Sequence, residues 1–172
     1  MELLKKSKFG PIRVISMVIL LIFSSLDISA TEAKPTVTAP TVKSELIQKL
    51  EVKEILVGAA KVSAEMAKDP GQQQKGLMYR KQMPADHGML FIFDNEEVRN
   101  FWMKNTFIPL SIGFFNTKKE LIDIQDMTPV VSEMQTDIPS YQSTGPAKYA
   151  LEVNLGWFKK NKVRLGNKLN LN

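Results

Sequence analysis

The chain has no cysteine among its 172 residues. Disulfides, cysteine-ligated zinc, thiol catalysis and lipid attachment through an N-terminal cysteine are therefore excluded. A domain working in an oxidising compartment must then be held by its own core, and the ~120 residues after the N-terminal segments are enough to build one. Histidine is almost as scarce, with His87 alone, so a zinc site would have no second imidazole and a Ser–His pair would have only one candidate base. There is no Gly-x-Ser-x-Gly elbow and no phosphate-binding glycine loop. No cofactor is expected and no internal repeat is visible. Charge of either sign is also modest. From Thr31 onward 19 Lys/Arg face 16 Asp/Glu, a net +3, which suits weak attraction to anionic surfaces but argues against nucleic-acid binding. The basic residues are scattered except for Lys159, Lys160, Lys162 and Arg164.

What is present begins with a leader. Lys5, Lys6, Lys8 and Arg13 precede a 13-residue apolar run, Val14 to Leu26, and Ile28-Ser29-Ala30 supplies a small residue for cleavage. These are the three parts of a signal peptide over residues 1–30. The run is shorter than the ~20 residues of a stable span. Asp27 and Ile28 make the cleavage site imperfect, and an uncleaved anchor in the inner membrane is the alternative. Both readings export the domain to the periplasm or beyond, with membrane contact only through this N-terminal segment. Residues 31–51 read as a flexible linker. Thr31 to Val42, TEAKPTVTAPTV, has no core-forming pattern, and Ser44 to Glu51 could form one short helix.

Residues 52–172 read as a single β-rich domain. Ile55–Val57 and Lys61–Ala67 suggest two strands around a Gly58 turn. Asp69-Pro70 signals a helix start and predicts a helix over Gln72–Tyr79. Met89–Phe93, Arg99–Lys104, Leu110–Phe115, Glu120–Met127, Tyr149–Val153 and Lys168–Leu171 read as further strands, and Gly156-Trp157-Phe158 as a short helical turn. Met127 to Ala147, with Pro129, Pro139, Gly145 and Pro146, reads as a long surface loop. The fold class expected is α+β and β-rich, a compact twisted sheet or partly closed β-barrel of about seven or eight short strands with one or two short helices.

Several blocks occur in a fixed order: Gly76-Leu77-Met78-Tyr79-Arg80, His87-Gly88-Met89-Leu90-Phe91, Phe101-Trp102-Met103-Lys104-Asn105-Thr106 with Ile108-Pro109-Leu110, then Gly145-Pro146-Ala147-Lys148-Tyr149-Ala150-Leu151-Glu152 and Gly156-Trp157-Phe158. Together they resemble the Domain of Unknown Function 192 family, also called uncharacterised protein family 127, from about Val52 to the C-terminus. The resemblance implies one compact β-rich domain, often behind a signal peptide, and no established activity. Ser111 stands where that family often carries an acid.

Three constellations could carry chemistry. In a strand, Trp102 and Lys104 would share one face, with Phe101, Met103 and Asn105 on the other. An aromatic surface beside an ammonium could bind a sugar, a peptide or an anionic head group. The same residues could equally serve the core and a turn. Arg80 and Glu152 could form a partly buried structural pair, or an anion clamp and general base. Asp123 and Asp126 are further carboxylates. Met83, His87 and Met89 offer soft ligands for Cu(I), although most methionines here lie in apolar runs. The leading expectation is a non-catalytic exported module that holds an envelope ligand or protein partner at Arg80, Trp102, Lys104, Asn105 and Glu152, beneath the Met127–Ala147 loop. The alternatives are a hydrolase or transferase using Glu152 with Lys104 or Arg80, and a periplasmic copper binder.

Overall fold

A computed structural model describes residues 47–171. The expected leader and most of the linker lie outside the described residues. Of the helix suggested over Ser44–Glu51, the described part, 47–51, is not helical. Seven strands form one sheet: β1 (Val52–Val57), β2 (Ala60–Ala67), β3 (His87–Trp102), β4 (Leu110–Phe115), β5 (Leu121–Met127), β6 (Ser140–Asn154) and β7 (Leu169–Asn170). Among the described residues two short helices accompany them, α1 (Pro70–Lys75) after β2 and α2 (Trp157–Lys160) after β6. The expected β-rich α+β class holds. Among the described residues no helix is long and apolar enough to cross a membrane.

The strand order is β5-β4-β6-β3-β2-β1-β7. Every pairing is antiparallel except β2 with β3. Parallel neighbours need a crossover connection, and α1 with residues 76–86 provides it. The sheet also curls until its two edges meet at one end. Glu120 bridges Lys168. The amides of Leu121 and Leu169 donate to the Asn167 and Lys119 carbonyls at 2.9 Å. A half-barrel results, with part of each edge paired rather than open.

Each face of the sheet has its own core. One gathers Ile55, Val57, Val62, Leu90, Leu151 and Val153, plugged by Trp157 and Phe158 of α2. The other gathers Met89, Phe91, Ile112, Phe114 and Ala150, with Leu77 from the crossover and Met103 and Ile108 from the β3–β4 connection. Alternation along β6 sends Leu151 and Val153 to the first core, and Ala150 with Glu152 to the second.

Three expectations need correction. The helix ends at Lys75, not Tyr79. Asp69 caps it, its side chain accepting from Gln72 N at 2.9 Å, but Gly76 at φ 47° turns the chain out of helical geometry. Met89–Phe93 and Arg99–Lys104 are not separate strands. They merge into β3, which stops at Trp102 and leaves Lys104 and Asn105 in a turn. The supposed loop from Met127 to Ala147 is loop only over 128–139, because β6 starts at Ser140. Its prolines misled the pattern: Pro146 sits opposite Val98, beside the register shifts of a bulged ribbon, where a strand tolerates proline.

Gly88 is a point of close approach between β3 and β6. A Cβ there would lie 2.5 Å from the Glu152 carbonyl oxygen and 2.9 Å from Val153 Cγ1. Backbone cannot step aside as a side-chain tip can, so Gly88→Ala should cost about 1–3 kcal/mol. At Gly145 the nearest atom to such a Cβ is Ile122 Cδ1 at 3.8 Å, and Gly145→Ala should change little. Thermal denaturation followed by circular dichroism separates the two. Equal midpoints would contradict this packing.

Candidate functional site

The crossover lays a polar cap over the second core. Gln48, just before β1, donates from Nε2 to the carbonyls of Gln72 (3.0 Å) and Gly76 (2.9 Å), and the same nitrogen is 4.0 Å from Met89 Sδ. Arg80 reaches back to β2, where its guanidinium forms a two-pronged ion pair with Glu65, with Nη2 2.8 Å from Oε2. The Arg80 and Glu65 side chains are only 12% and 16% exposed. Register puts Glu65 opposite Met89, Met89 opposite Glu152, and Glu152 opposite Ile112. Two carboxylates thus flank one methionine along a single row of the sheet.

Glu152 is buried, and no ion pair joins it to Arg80, which is engaged by Glu65. No hydrogen bond to its carboxyl group occurs among the described residues, and its oxygens are not fully enclosed. Burial disfavours its ionised form and pushes its pKa up to about 8, against a smaller opposing pull from the Arg80 charge. Glu152 opens on a small cleft of about 30 Å³ shared with Trp102, Thr106, Phe91, Phe101 and the Gly76–Met78 turn. Such a space admits about one or two water-sized groups.

Trp102 stands at the rim of this cleft, 47% exposed. Lys104 Nζ lies 5.1 Å from the centre of its ring, within cation–π range. These two residues lie together, as expected, while Phe101 and Met103 turn into the core. Phe101 meets Phe91 edge-to-face at 5.0 Å. Asn105 has a structural task. Its Nδ2 donates to the Tyr79 hydroxyl at 2.8 Å, and the Tyr79 amide donates to the Asn105 carbonyl at 2.8 Å. Both residues have positive φ, 65° for Tyr79 and 53° for Asn105. The reciprocal bonds hold two strained turns against one another. The 128–139 segment is tied to the same turn, with the Val130 amide donating to the Thr106 carbonyl at 3.0 Å.

Trp102 and Glu152 therefore share a cleft, Lys104 covers the outer side of Trp102, and Arg80 and Asn105 build the walls without lining it. Glu65, Tyr79 and Gln48 were missed by sequence reasoning. Glu65 alternates with Ala64 and Met66 like a solvent-facing residue, and only the crossover shows that its face is covered. The other candidates are dispersed. Met89 is sealed in the core while His87 is exposed. No cluster of three His, Cys, Asp or Glu suited to a metal occurs among the described residues. Asp123 accepts hydrogen bonds from Gln125 Nε2 (2.7 Å) and the Thr144 amide (3.1 Å), and Asp126 from the Ser111 hydroxyl (2.5 Å).

The raised pKa of Glu152 has a definite sign in stability. The folded carboxyl keeps its proton to about pH 8, whereas an ordinary one releases it near 4.5. Stability tied to that proton is complete below the unfolded value and is lost as pH rises through the folded one. Relative to Glu152→Gln, the native chain should lose up to about 1.4 kcal/mol per pH unit between those limits. Urea denaturation at about pH 5, 6.5 and 8 measures it, and parallel profiles for the two proteins would show that the side chain is not buried as described.

Three comparisons with known proteins bear on this arrangement. The Domain of Unknown Function 192 family, described as an uncharacterized ACR, matches residues 52–171. A crystal structure from Sinorhizobium meliloti, described as a "putative transcription regulator", is 33% identical with a TM-score of 0.63, over 72% of this chain and 96% of that one. A protein of unknown function from Novosphingobium aromaticivorans is 26% identical with a TM-score of 0.64, over 72% of this chain and 88% of that one. No curated protein matches. The match runs through the cap, the Trp102 turn and the Glu152 strand alike, and the chain belongs to the Domain of Unknown Function 192 family.

Proposed function

We propose that the domain is a non-catalytic binding module of the cell envelope, which holds a ligand or protein partner at the Trp102–Glu152 cleft. One observation carries this reading: a largely buried carboxyl group, with no hydrogen-bond partner among the described residues, opens on a cleft edged by a half-exposed tryptophan. A group left this way lacks the stabilisation of a donor, and a bound amide or ammonium would provide it. The Trp102 ring and Lys104 offer a surface outside the cleft for a sugar or peptide. Val131 and Met134, both almost fully exposed on the 128–139 segment, add apolar surface on a segment tied to the Thr106 turn. The three-part leader supports an extracytoplasmic setting. Neither Arg80 nor Lys104 lines the cleft with Glu152, which favours binding over hydrolysis or group transfer. The role in transcription named for the Sinorhizobium relative is not carried over, because a net +3 after the leader is a weak basis for holding nucleic acid.

Soluble cell-wall glycopeptides, which combine sugar, amide and ammonium groups, are the probe, read by tryptophan fluorescence. Trp157 is buried in the other core, so a ligand-dependent change should report Trp102. The native chain should give a saturable shift, Trp102→Ala none, and Lys104→Ala about tenfold weaker binding. Both side chains are exposed, so melting should change by only a few degrees. Undiminished binding by Trp102→Ala, measured calorimetrically, would overturn the reading, as would collapse of folding in both variants.

A further inference from the structure

The basic run Lys159-Lys160-Asn161-Lys162-Val163-Arg164 plays no part in the Trp102–Glu152 cleft. It begins in the last turn of α2 and lies on the opposite face of the sheet. There a cleft of about 440 Å³ opens between the β4–β5 pair and residues 156–164, within the size range of small-molecule sites. Lys159, Lys162 and Arg164 line it from one side, Ser111 and Asp126 from the other, and Phe158 with neighbouring aliphatic residues supplies apolar wall. From these features we infer that the cleft is a binding site for a polyol phosphate.

The charge and its placement set the ligand class. No ion pair or hydrogen bond engages the Lys159, Lys162 or Arg164 side chains among the described residues. Three free cations against one carboxylate leave the lining at +2, which suits a phosphate ester, about −1 as a diester and about −2 as a monoester. The backbone bearing them is fixed. Lys162 has φ 57°, and Arg164 and Asn167 exchange hydrogen bonds of 3.0 Å, amide to side-chain oxygen and amide to carbonyl. The opposite wall is polar and preorganised. The Ser111 hydroxyl donates to Asp126 Oδ1 at 2.5 Å and accepts from the Gly156 amide at 2.9 Å. Asp126 Oδ2 is thereby left without a partner among the described residues. A carboxylate repels phosphate but accepts from hydroxyls, so the ligand lies with phosphate toward the cations and hydroxyls toward Asp126. The Phe158 ring meets its C–H surface.

Calorimetry on the full chain tests this with glycerol 3-phosphate, inorganic phosphate and glycerol. Glycerol 3-phosphate should bind about tenfold more tightly than phosphate, and glycerol should not bind. Lys162→Glu with Arg164→Glu should abolish binding, and Asp126→Asn should erase the preference over phosphate while retaining the anion. Flotation with phosphatidylglycerol and phosphatidylcholine vesicles identifies the source. Retention by phosphatidylglycerol that the charge-reversed variant loses assigns the group to a lipid, whereas binding of the free compound alone assigns it to a soluble ester, and either upholds the site. Two results overturn it: equal affinity for phosphate and glycerol 3-phosphate, or neither glycerol 3-phosphate nor phosphatidylglycerol bound in a way that the charge reversal removes. Circular dichroism confirms that the variants are folded.

Discussion

The β2–β3 pairing is the sheet's one parallel contact, and much of the second face follows from it. Parallel strands cannot be joined by a tight turn, so the chain must cross over that face before it can enter β3. The crossover brings Leu77 down onto Met89 and Phe91 and carries Arg80 back to Glu65. It also roofs a row of the sheet that contains Glu152. Without that roof the carboxyl group would sit on an open sheet face in water, with no reason to hold its proton. With it, a group that is ordinarily charged is held in apolar surroundings, and the cleft beside Trp102 gives it an outlet.

The same constraint explains what could and could not be read along the chain. Local patterns carried well. Alternation in 62–66 and 121–127, the Asp69-Pro70 start signal and the Gly156 turn each correspond to a real element, because each depends on neighbours within a few residues. The extent of elements carried poorly. Sequence spacing carries the helix past Gly76 and breaks β3 and β6 at polar or proline-bearing stretches that a bulged partner strand rescues. Pairing partners carried worst. Arg80 and Glu152 read as a pair because each sits among apolar residues at an element end or in a strand, whereas the ion pair of Arg80 is with Glu65, a residue whose spacing reads as solvent-facing. The fate of a polar strand residue depends on what crosses above it, and that is a property of topology rather than of spacing.

Of the five residues singled out, Trp102 and Glu152 line one cleft, Lys104 stacks outside it, and Asn105 and Arg80 hold its walls in place. The division has a physical logic. Recognition surfaces require rigid supports, and here the supports are two turns in left-handed conformations, clamped by paired bonds between Tyr79 and Asn105. The other face of the sheet shows a parallel arrangement, with Ser111 locked between Asp126 and Gly156 beside a basic segment whose side chains remain free.

The meeting of the sheet edges near residues 119–121 and 166–169 bears on how the domain is made. Val57 pairs with Leu169, so the strand that closes the ring is itself anchored on a segment more than a hundred residues earlier. Contacts of such long sequence separation form slowly. While a growing chain lacks β7, the β1 and β5 edges have no partners and present unpaired backbone. The half-barrel cannot close progressively during synthesis. It becomes complete only after β7 has emerged, and until then the chain stays open to whatever accompanies it.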